Sequence, residues 1–206
     1  YTYVVTSCFS GVGTAELCGR ALNLAWEQRG IGLRCVIGMG FERDPVARSV
    51  LTRVSGAAPA GGNLLDLWPP DVRVRIEKHF SDYAVLLGFL REQAPRLSSF
   101  FTDPDTGRKH AIDLGDLHCG GNPCTDWSTM GQRRGLTGPT AAVMVTWGLL
   151  IKRHTPAFVI QENVTLFPGE ILLEVVGPEN TMEILYMDPR ERGWPVARRR
   201  KYALLI

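Results

Sequence analysis

At 206 residues the chain has room for one full α/β core and not for two ordinary domains. Its 45% hydrophobic and 21% charged content is that of a water-soluble globular protein, and no apolar run reaches the ~18 residues a membrane span needs. A formal charge of +2 excludes a chain-wide field for a polyanion, and the positive charge is concentrated instead at Arg133-Arg134 and Arg198-Arg199-Arg200-Lys201.

The five cysteines (Cys8, Cys18, Cys35, Cys119 and Cys124) are odd in number and irregularly spaced, which argues against a disulfide framework and for a reducing compartment. No Cys-x-x-Cys pair exists, so Cys119, Cys124, His110 and His118 are not read as a zinc site and no metal is expected. No signal peptide is visible. The chain begins without methionine, directly in a strand-like run, and reads as a piece of something longer.

In chain order, Tyr3 to Cys8 is a β-branched, apolar run that predicts a buried strand. It empties into Phe9-Ser10-Gly11-Val12-Gly13, and a helix follows with Leu17, Ala21, Leu24 and Ala25 on one face, stopping at Gly30 and Gly32. Strand, glycine turn and helix open a βαβ unit, in which a cofactor can approach the backbone at the helix N-terminus. Glu16 stands where a nicotinamide site would carry its third glycine, which favours S-adenosylmethionine over a dinucleotide.

Arg34 to Met39 predicts a second strand ending at Phe41-Glu42-Arg43-Asp44. Asp44-Pro45 reads as an N-cap and first turn, so Glu42 is the better candidate for accepting from a ribose diol. Gly62 to Asp66 reads as a short third strand, closed by Trp68-Pro69-Pro70. From Asp71 to Gln93, Val72, Ile76, Phe80, Ala84, Leu87 and Leu90 form one helical stripe, and Phe101 to His110 reads as a polar loop. Residues 71–110 are thus expected to be a helical and loop insertion. Asp113 to Cys119 supplies the fourth strand.

That strand runs into Cys119-Gly120-Gly121-Asn122-Pro123-Cys124-Thr125-Asp126-Trp127-Ser128. The glycines free the backbone and Pro123 stiffens the turn, which presents Cys124 in an irregular loop. Pro139 to Arg153 predicts a largely buried helix, with Ala142, Val145, Trp147, Leu149 and Leu150. Ala157 to Ile160 then delivers Gln161-Glu162-Asn163-Val164, and a carboxylate at the end of a buried strand is costly unless it is used. Two last strands, Thr181 to Met187 and Lys201 to Ile206, are joined through Gly193-Trp194-Pro195-Val196-Ala197-Arg198-Arg199-Arg200.

Four of these stretches, in this order, resemble motifs of the cytosine-C5 methyltransferases. Phe9 to Gly13 is similar to the family's Phe-x-Gly-x-Gly cofactor turn. Gly121 to Ser128 resembles its Gly-Gly-Pro-Pro-Cys-Gln-x-Phe-Ser loop, departing at Asn122, Thr125 and Trp127, and Gly131 to Leu136 is similar to the basic loop after it. Glu162-Asn163-Val164 resembles its Glu-Asn-Val motif, and Gly193 to Arg200 its Gly-x-Pro-Gln-x-Arg-x-Arg, with Val196 in place of glutamine.

The resemblance implies an α/β, Rossmann-like S-adenosylmethionine-dependent methyltransferase fold. Its sheet would be mostly parallel with helices on both faces, ending in an antiparallel C-terminal hairpin. It implies methyl transfer from S-adenosyl-L-methionine to C5 of cytosine in DNA, with Cys124 adding to C6, Glu162 donating a proton at N3, Arg200 holding the O2 edge and Arg198 orienting the site. The cofactor would be held by Phe9, Ser10, Gly11, Gly13, Glu42, Asp66 and Pro123, with Asp66 near the adenine amino group. DNA is the expected partner, and the target base must be flipped out of a duplex. The tRNA-methylating branch of the family is the alternative with the same chemistry, and Asn122 and Val196 keep open a non-catalytic binding module. The target-recognition region of the family is absent from residues 1–206, and a longer chain or a partner is expected to supply it. The compartment implied is the nucleus in a eukaryote and otherwise the cytoplasm, with no membrane.

Overall fold

A computed structural model describes residues 1–56, 58–79 and 82–206. Its centre is a seven-stranded sheet built from β1 (Thr2–Cys8), β2 (Arg34–Phe41), β3 (Ala60–Gly61), β6 (Leu117–Gly120), β7 (Phe158–Val164), β8 (Met182–Met187) and β9 (Arg200–Leu205). The strands run in the order β3-β2-β1-β6-β7-β9-β8. All neighbours from β3 to β7 are parallel, whereas β9 pairs antiparallel with both β7 and β8. This is the α/β, Rossmann-like methyltransferase architecture with its C-terminal hairpin.

Strand alternation decides which helix covers which face. Val5 pairs with Leu117 and Ser7 with Cys119, so these side chains share a face with Ile37 and Cys35. There α1 (Thr14–Gln28) packs, with Gly19 against Ile37 and Cys35. Thr6 and His118 point the other way, towards α5 (Thr140–His154), where Trp147 Nε1 donates to His118 Nε2 at 2.8 Å. The Thr6 hydroxyl donates to the Leu114 carbonyl, which leaves His118 Nδ1 as donor to Thr6 at 2.7 Å. Burial pushes the His118 imidazole down to about 3, so it stays neutral within this chain of bonds.

Helix α5 is the core element, with Ala142, Val145, Trp147, Leu149 and Leu150 buried as their sequence pattern predicts. It packs against α6 (Ile171–Val176) and α4 (Tyr83–Gln93), whose Leu86 and Leu90 are fully buried. Each such leucine contributes about 1.5–3 kcal/mol. Helix α2 (Pro45–Val54) starts as expected, with Asp44 Oδ1 accepting from Ala47 N at 2.8 Å. No helix among the described residues is long and apolar enough to cross a membrane.

Five expectations change. Helix α1 turns Glu16 and Gly19 inward and leaves Leu17, Ala21 and Leu24 exposed; a Cβ on Gly19 would stand 3.3 Å from Ile37, so the glycine eases the close approach of the helix to β2. The third strand is Ala60–Gly61 rather than 62–66. Asn63 instead accepts from Leu65 N at 3.1 Å and caps a 3-10 turn over Leu64–Leu67. The single helical stripe is two helices, α3 (Pro70–His79) and α4, the latter begun by Asp82 accepting from Val85 N at 3.1 Å. Phe80 lies outside the described residues.

Residues 101–110 are a hairpin rather than a loop, β4 (Phe100–Thr102) with β5 (Lys109–Ala111), turned at Asp103 and Gly107. It is latched to the sheet by Phe101 against Phe41, ring centroids 4.9 Å apart, and to α2 by Arg48, which bonds both oxygens of Asp105 at 2.7 and 3.0 Å. Finally, the fourth strand of the main sheet, β6, is only Leu117–Gly120, because Asp113 is spent on a turn and the Asp116 side chain on the backbone of β1. The Asp113 carboxylate accepts from Gly115 N and that of Asp116 from Val4 N.

Candidate active site

Strand order reverses between β1 and β6, since the chain steps outward from β1 to β3 and then crosses back to β6. Loops leaving the carboxyl ends of two such strands diverge and open a crevice between them. The two loops here are the glycine turn after Cys8 and the cysteine loop after Gly120. They are joined at the root, where Gly121 N donates to Cys8 O at 3.4 Å. Motifs more than a hundred residues apart in sequence thus become neighbours at one edge.

The glycine turn takes left-handed backbone at Phe9, Gly11 and Gly13, with φ of 59°, 55° and 87°. Nothing lies within 4 Å of where a Cβ on Gly11 would sit, so that face of the turn is open. Glu42, just past β2, closes the turn from the side: one oxygen accepts from Gly11 N at 2.7 Å and the other from Asp44 N at 2.8 Å. Ser10 N donates to Phe41 O, and the Phe9 ring meets Trp147 edge-on. Glu16 is buried beneath, accepting from the Ser7 hydroxyl, and its other oxygen has no partner among the described residues. Sequence reasoning marked Glu16 only as a missing glycine; its engagement with Ser7 depends on the inward turn of α1.

Cys124 is half-buried, and its carbonyl accepts from Trp127 N at 2.9 Å and Ser128 N at 2.8 Å, a tight turn that starts at the thiol residue. Pro123, one residue before, is also half-buried. Asp126 anchors the turn: it is buried, and it accepts from both Thr140 N and Thr140 Oγ1 at the start of α5. Gly138 is fitted so closely against this carboxylate that a Cβ has no room. Gln132 N returns to Thr125 O at 2.7 Å, so the basic loop with exposed Arg133 and Arg134 folds back over the cysteine turn. A cavity of about 330 Å³ lies under it, lined by Trp127, Arg133 and Leu166 among others.

Strand β7 continues through the acid motif rather than ending at Ile160, so Glu162 is held in the sheet opposite Tyr202 of β9. Arg200 Nε meets Glu162 Oε1 at 2.8 Å, with the carboxylate side chain 38% and the guanidinium 19% exposed. The sequence reading of a carboxylate buried alone is thereby corrected: β9 supplies its counter-charge. The other oxygen, Oε2, lies 3.3 Å from where a Cβ on Gly121 would sit, so the acid stands between Arg200 and the root of the cysteine loop. A cleft of about 150 Å³ opens beside it, lined by Glu162, Arg198, Arg200, Tyr202, Met187 and Arg192 among others.

Other thiols near this edge are unsuited to ionise. Burial, with Glu16 adding, raises Cys8 well above the usual thiol value and pushes Cys119 up to about 12. Asp66 stands apart: its carboxylate pairs with Arg73 at 2.8 Å, and both side chains are largely exposed.

A glycine turn, a thiol loop and an acid–arginine pair are thus gathered at one carboxyl edge of a doubly wound sheet, an arrangement that fits the methyltransferase fold. Within it, the C-5 cytosine-specific DNA methylase family model matches residues 92–169, which bears out the resemblance read from the sequence. The matched segment contains Cys124 and Glu162, whereas the glycine turn and the two arginines lie outside it.

Among solved structures, the chain is similar to a protein encoded within an E. coli prophage and assigned as a DNA modification methyltransferase, with TM-score 0.58 and 16% identity over 99% of this chain and 46% of that one. It is similar to the Dnmt2 methyltransferase of S. pombe, with TM-score 0.55 and 14% identity over 100% of this chain and 49% of that one. It is also similar to the methyltransferase EhMeth of Entamoeba histolytica, with TM-score 0.58 and 14% identity over 100% of this chain and 53% of that one. The chain thus spans about half the length of these structures. Among curated proteins none matches significantly.

Proposed function

We propose that residues 1–206 form the S-adenosylmethionine-binding catalytic core of an enzyme that methylates cytosine at C5 in DNA. The observation that supports this best is the meeting of the four motifs at one sheet edge, with Glu162 paired to Arg200 beside the Cys124 loop.

The glycine turn fits the cofactor. Its open face at Gly11, the helix N-terminus behind it and the Glu42 carboxylate at the tip of β2 are the parts that hold an adenosyl group and its ribose. Phe9, Ser10, Gly13 and Pro123 complete the set, and Asp66 is the candidate at the adenine end. Bound there, the cofactor supplies an electrophilic methyl group. The chain's own residues then do the rest. Cys124 as thiolate adds to C6 of the ring and places electron density on C5, which takes the methyl group; loss of the C5 proton then expels the thiolate and restores the ring. Glu162 gives a proton at N3, and Arg200, with Arg198, holds the O2 edge.

The exposed arginines at 133, 134, 198 and 199 offer phosphates a non-specific, salt-sensitive attraction. Base flipping costs a few kcal/mol. Selection of a target sequence is therefore assigned in this reading to a region or partner outside residues 1–206.

The test is covalent trapping. A DNA oligonucleotide carrying 5-fluorocytosine, incubated with the chain and cofactor, should give a protein–DNA adduct by mass; tRNA carrying the same base is run beside it. An adduct on tRNA alone would move the substrate to RNA, and no adduct on either would favour a binding module.

Glu42→Ala provides a separate check on the cofactor site. Calorimetry should show S-adenosylmethionine binding weakened by about 1–3 kcal/mol, since a charged acceptor is lost and the Gly11 amide it orders is released. Unchanged affinity would remove Glu42 from the site.

A further inference from the structure

Asn122, two residues before the thiol, is 4% exposed. Its side-chain Oδ1 accepts from Gln161 Nε2 at 2.9 Å, and its main-chain oxygen accepts from Asn163 Nδ2 at 3.0 Å. Gln161 and Asn163 are the two residues flanking Glu162 on β7. Alternation along the strand turns both of them to the face opposite the acid, where both are buried. The two neighbours of the acid thus each hold the same residue of the cysteine loop.

Stability does not explain an amide here. Asn122 Nδ2 is buried with no partner among the described residues, and an unpaired buried donor is destabilising. Apolar residues at both 122 and 161 would avoid that cost and still leave the main-chain oxygen for Asn163. Only the bond from Gln161 requires a side-chain acceptor at 122, and only that bond uses both side chains.

We propose that Asn122 and Gln161 are positioning residues: their amide–amide bond fixes the register of the Cys124 loop against Glu162, so that thiol and acid meet opposite sides of one ring at a set spacing. This rests on the reading of Cys124 as nucleophile and Glu162 as acid. A one-ångström misplacement of a reacting group can cost about a hundredfold in rate. Such a bond therefore acts on turnover far more than on affinity.

The test uses the full chain with Asn122→Ala, Gln161→Leu and their combination. Single-turnover methyl transfer at saturating cofactor should fall about ten- to a hundredfold in each single variant, with cofactor affinity within about twofold, and the combined variant should be no slower than the worse single one. A second readout does not depend on the reaction. Alkylation of Cys124 by iodoacetamide, followed by peptide mass and referenced to exposed Cys18, should change at least about fivefold in the same variants. If the wild-type chain transfers no methyl group, the functional reading fails while the alkylation rates still decide the positioning role. Should a single substitution unfold the chain, Asn122→Leu with Gln161→Leu removes the bond without stranding Gln161's amide, and is expected to show the same losses. Alkylation and transfer both within about twofold of wild type, or losses that multiply in the combined variant, would overturn the proposal.

Discussion

Cys124→Ala should abolish both methyl transfer and the covalent adduct with a 5-fluorocytosine oligonucleotide, while S-adenosylmethionine still binds. The expected loss in rate is on the order of 10⁴-fold or more, the scale on which removing a covalent nucleophile acts. No other thiol is placed to substitute. Cys8 and Cys119 lie near the same edge but are pushed towards the protonated form by burial and by Glu16. Cys35 is buried at the far end of β2, its backbone bonded to the Asn23 side chain, and burial raises it too. Cys18 is exposed on α1. Fold stability should be nearly unchanged, because the turn after residue 124 is made by its carbonyl and by Asp126, not by the sulfur. Two measurements check this: adduct mass for wild type and variant, and cofactor binding by calorimetry. An adduct formed by the alanine variant would assign the chemistry to another thiol.

Legibility in the sequence followed the range over which each feature is determined. Strands β1 and β2, the buried face of α5 and the Asp44 cap are set by local residues, and they were readable as such. The glycine turn and the cysteine loop were readable as turns because glycine and proline mark each of them in consecutive residues. What could not be read was set by partners far away in the chain.

Leu17 and Leu24 have the spacing of a buried stripe, yet the close approach of Gly19 to Ile37 rotates α1 so that they face outward. Glu162 was read as an acid without a counter-charge because Arg200 arrives only through antiparallel pairing of β9 with β7. The hairpin over residues 100–111 did have a local signal, the Asp103-Pro104-Asp105-Thr106-Gly107 turn, in which Asp103 accepts from the amides of Asp105 and Thr106 and Gly107 takes φ of 70°. Its strands are three residues each, too short for alternation to stand out. Asn122 was legible only as a departure from the family's proline; its bond to Gln161, 39 residues on, gives the departure a physical role.

Glu162→Gln tests the acid without disturbing its surroundings. Glutamine has the same shape, and its Oε1 can still accept from Arg200 Nε, so the contact at 2.8 Å survives as a hydrogen bond from the guanidinium to a neutral acceptor. What is lost is a group that can pass a proton to the ring. Turnover should fall about 10²- to 10⁴-fold, the usual range for general acid–base catalysis, with cofactor affinity unchanged. The change in thermal stability should be small, because the pair is partly open to solvent and such pairs contribute little to folding. Arg200→Ala gives the other half of the comparison: it strips Glu162 of its partner and removes the proposed grip on the base, so its loss should appear in KM for the oligonucleotide as well as in kcat. If the two act on one ring, the double variant should lose less than the product of the single losses, with a coupling of about 0.5–3 kcal/mol. Losses that multiply would separate the two side chains. A variant Glu162→Gln that unfolds readily yet keeps its single-turnover rate would make Glu162 a structural partner of β9, and the acid would have to be sought elsewhere along the cleft.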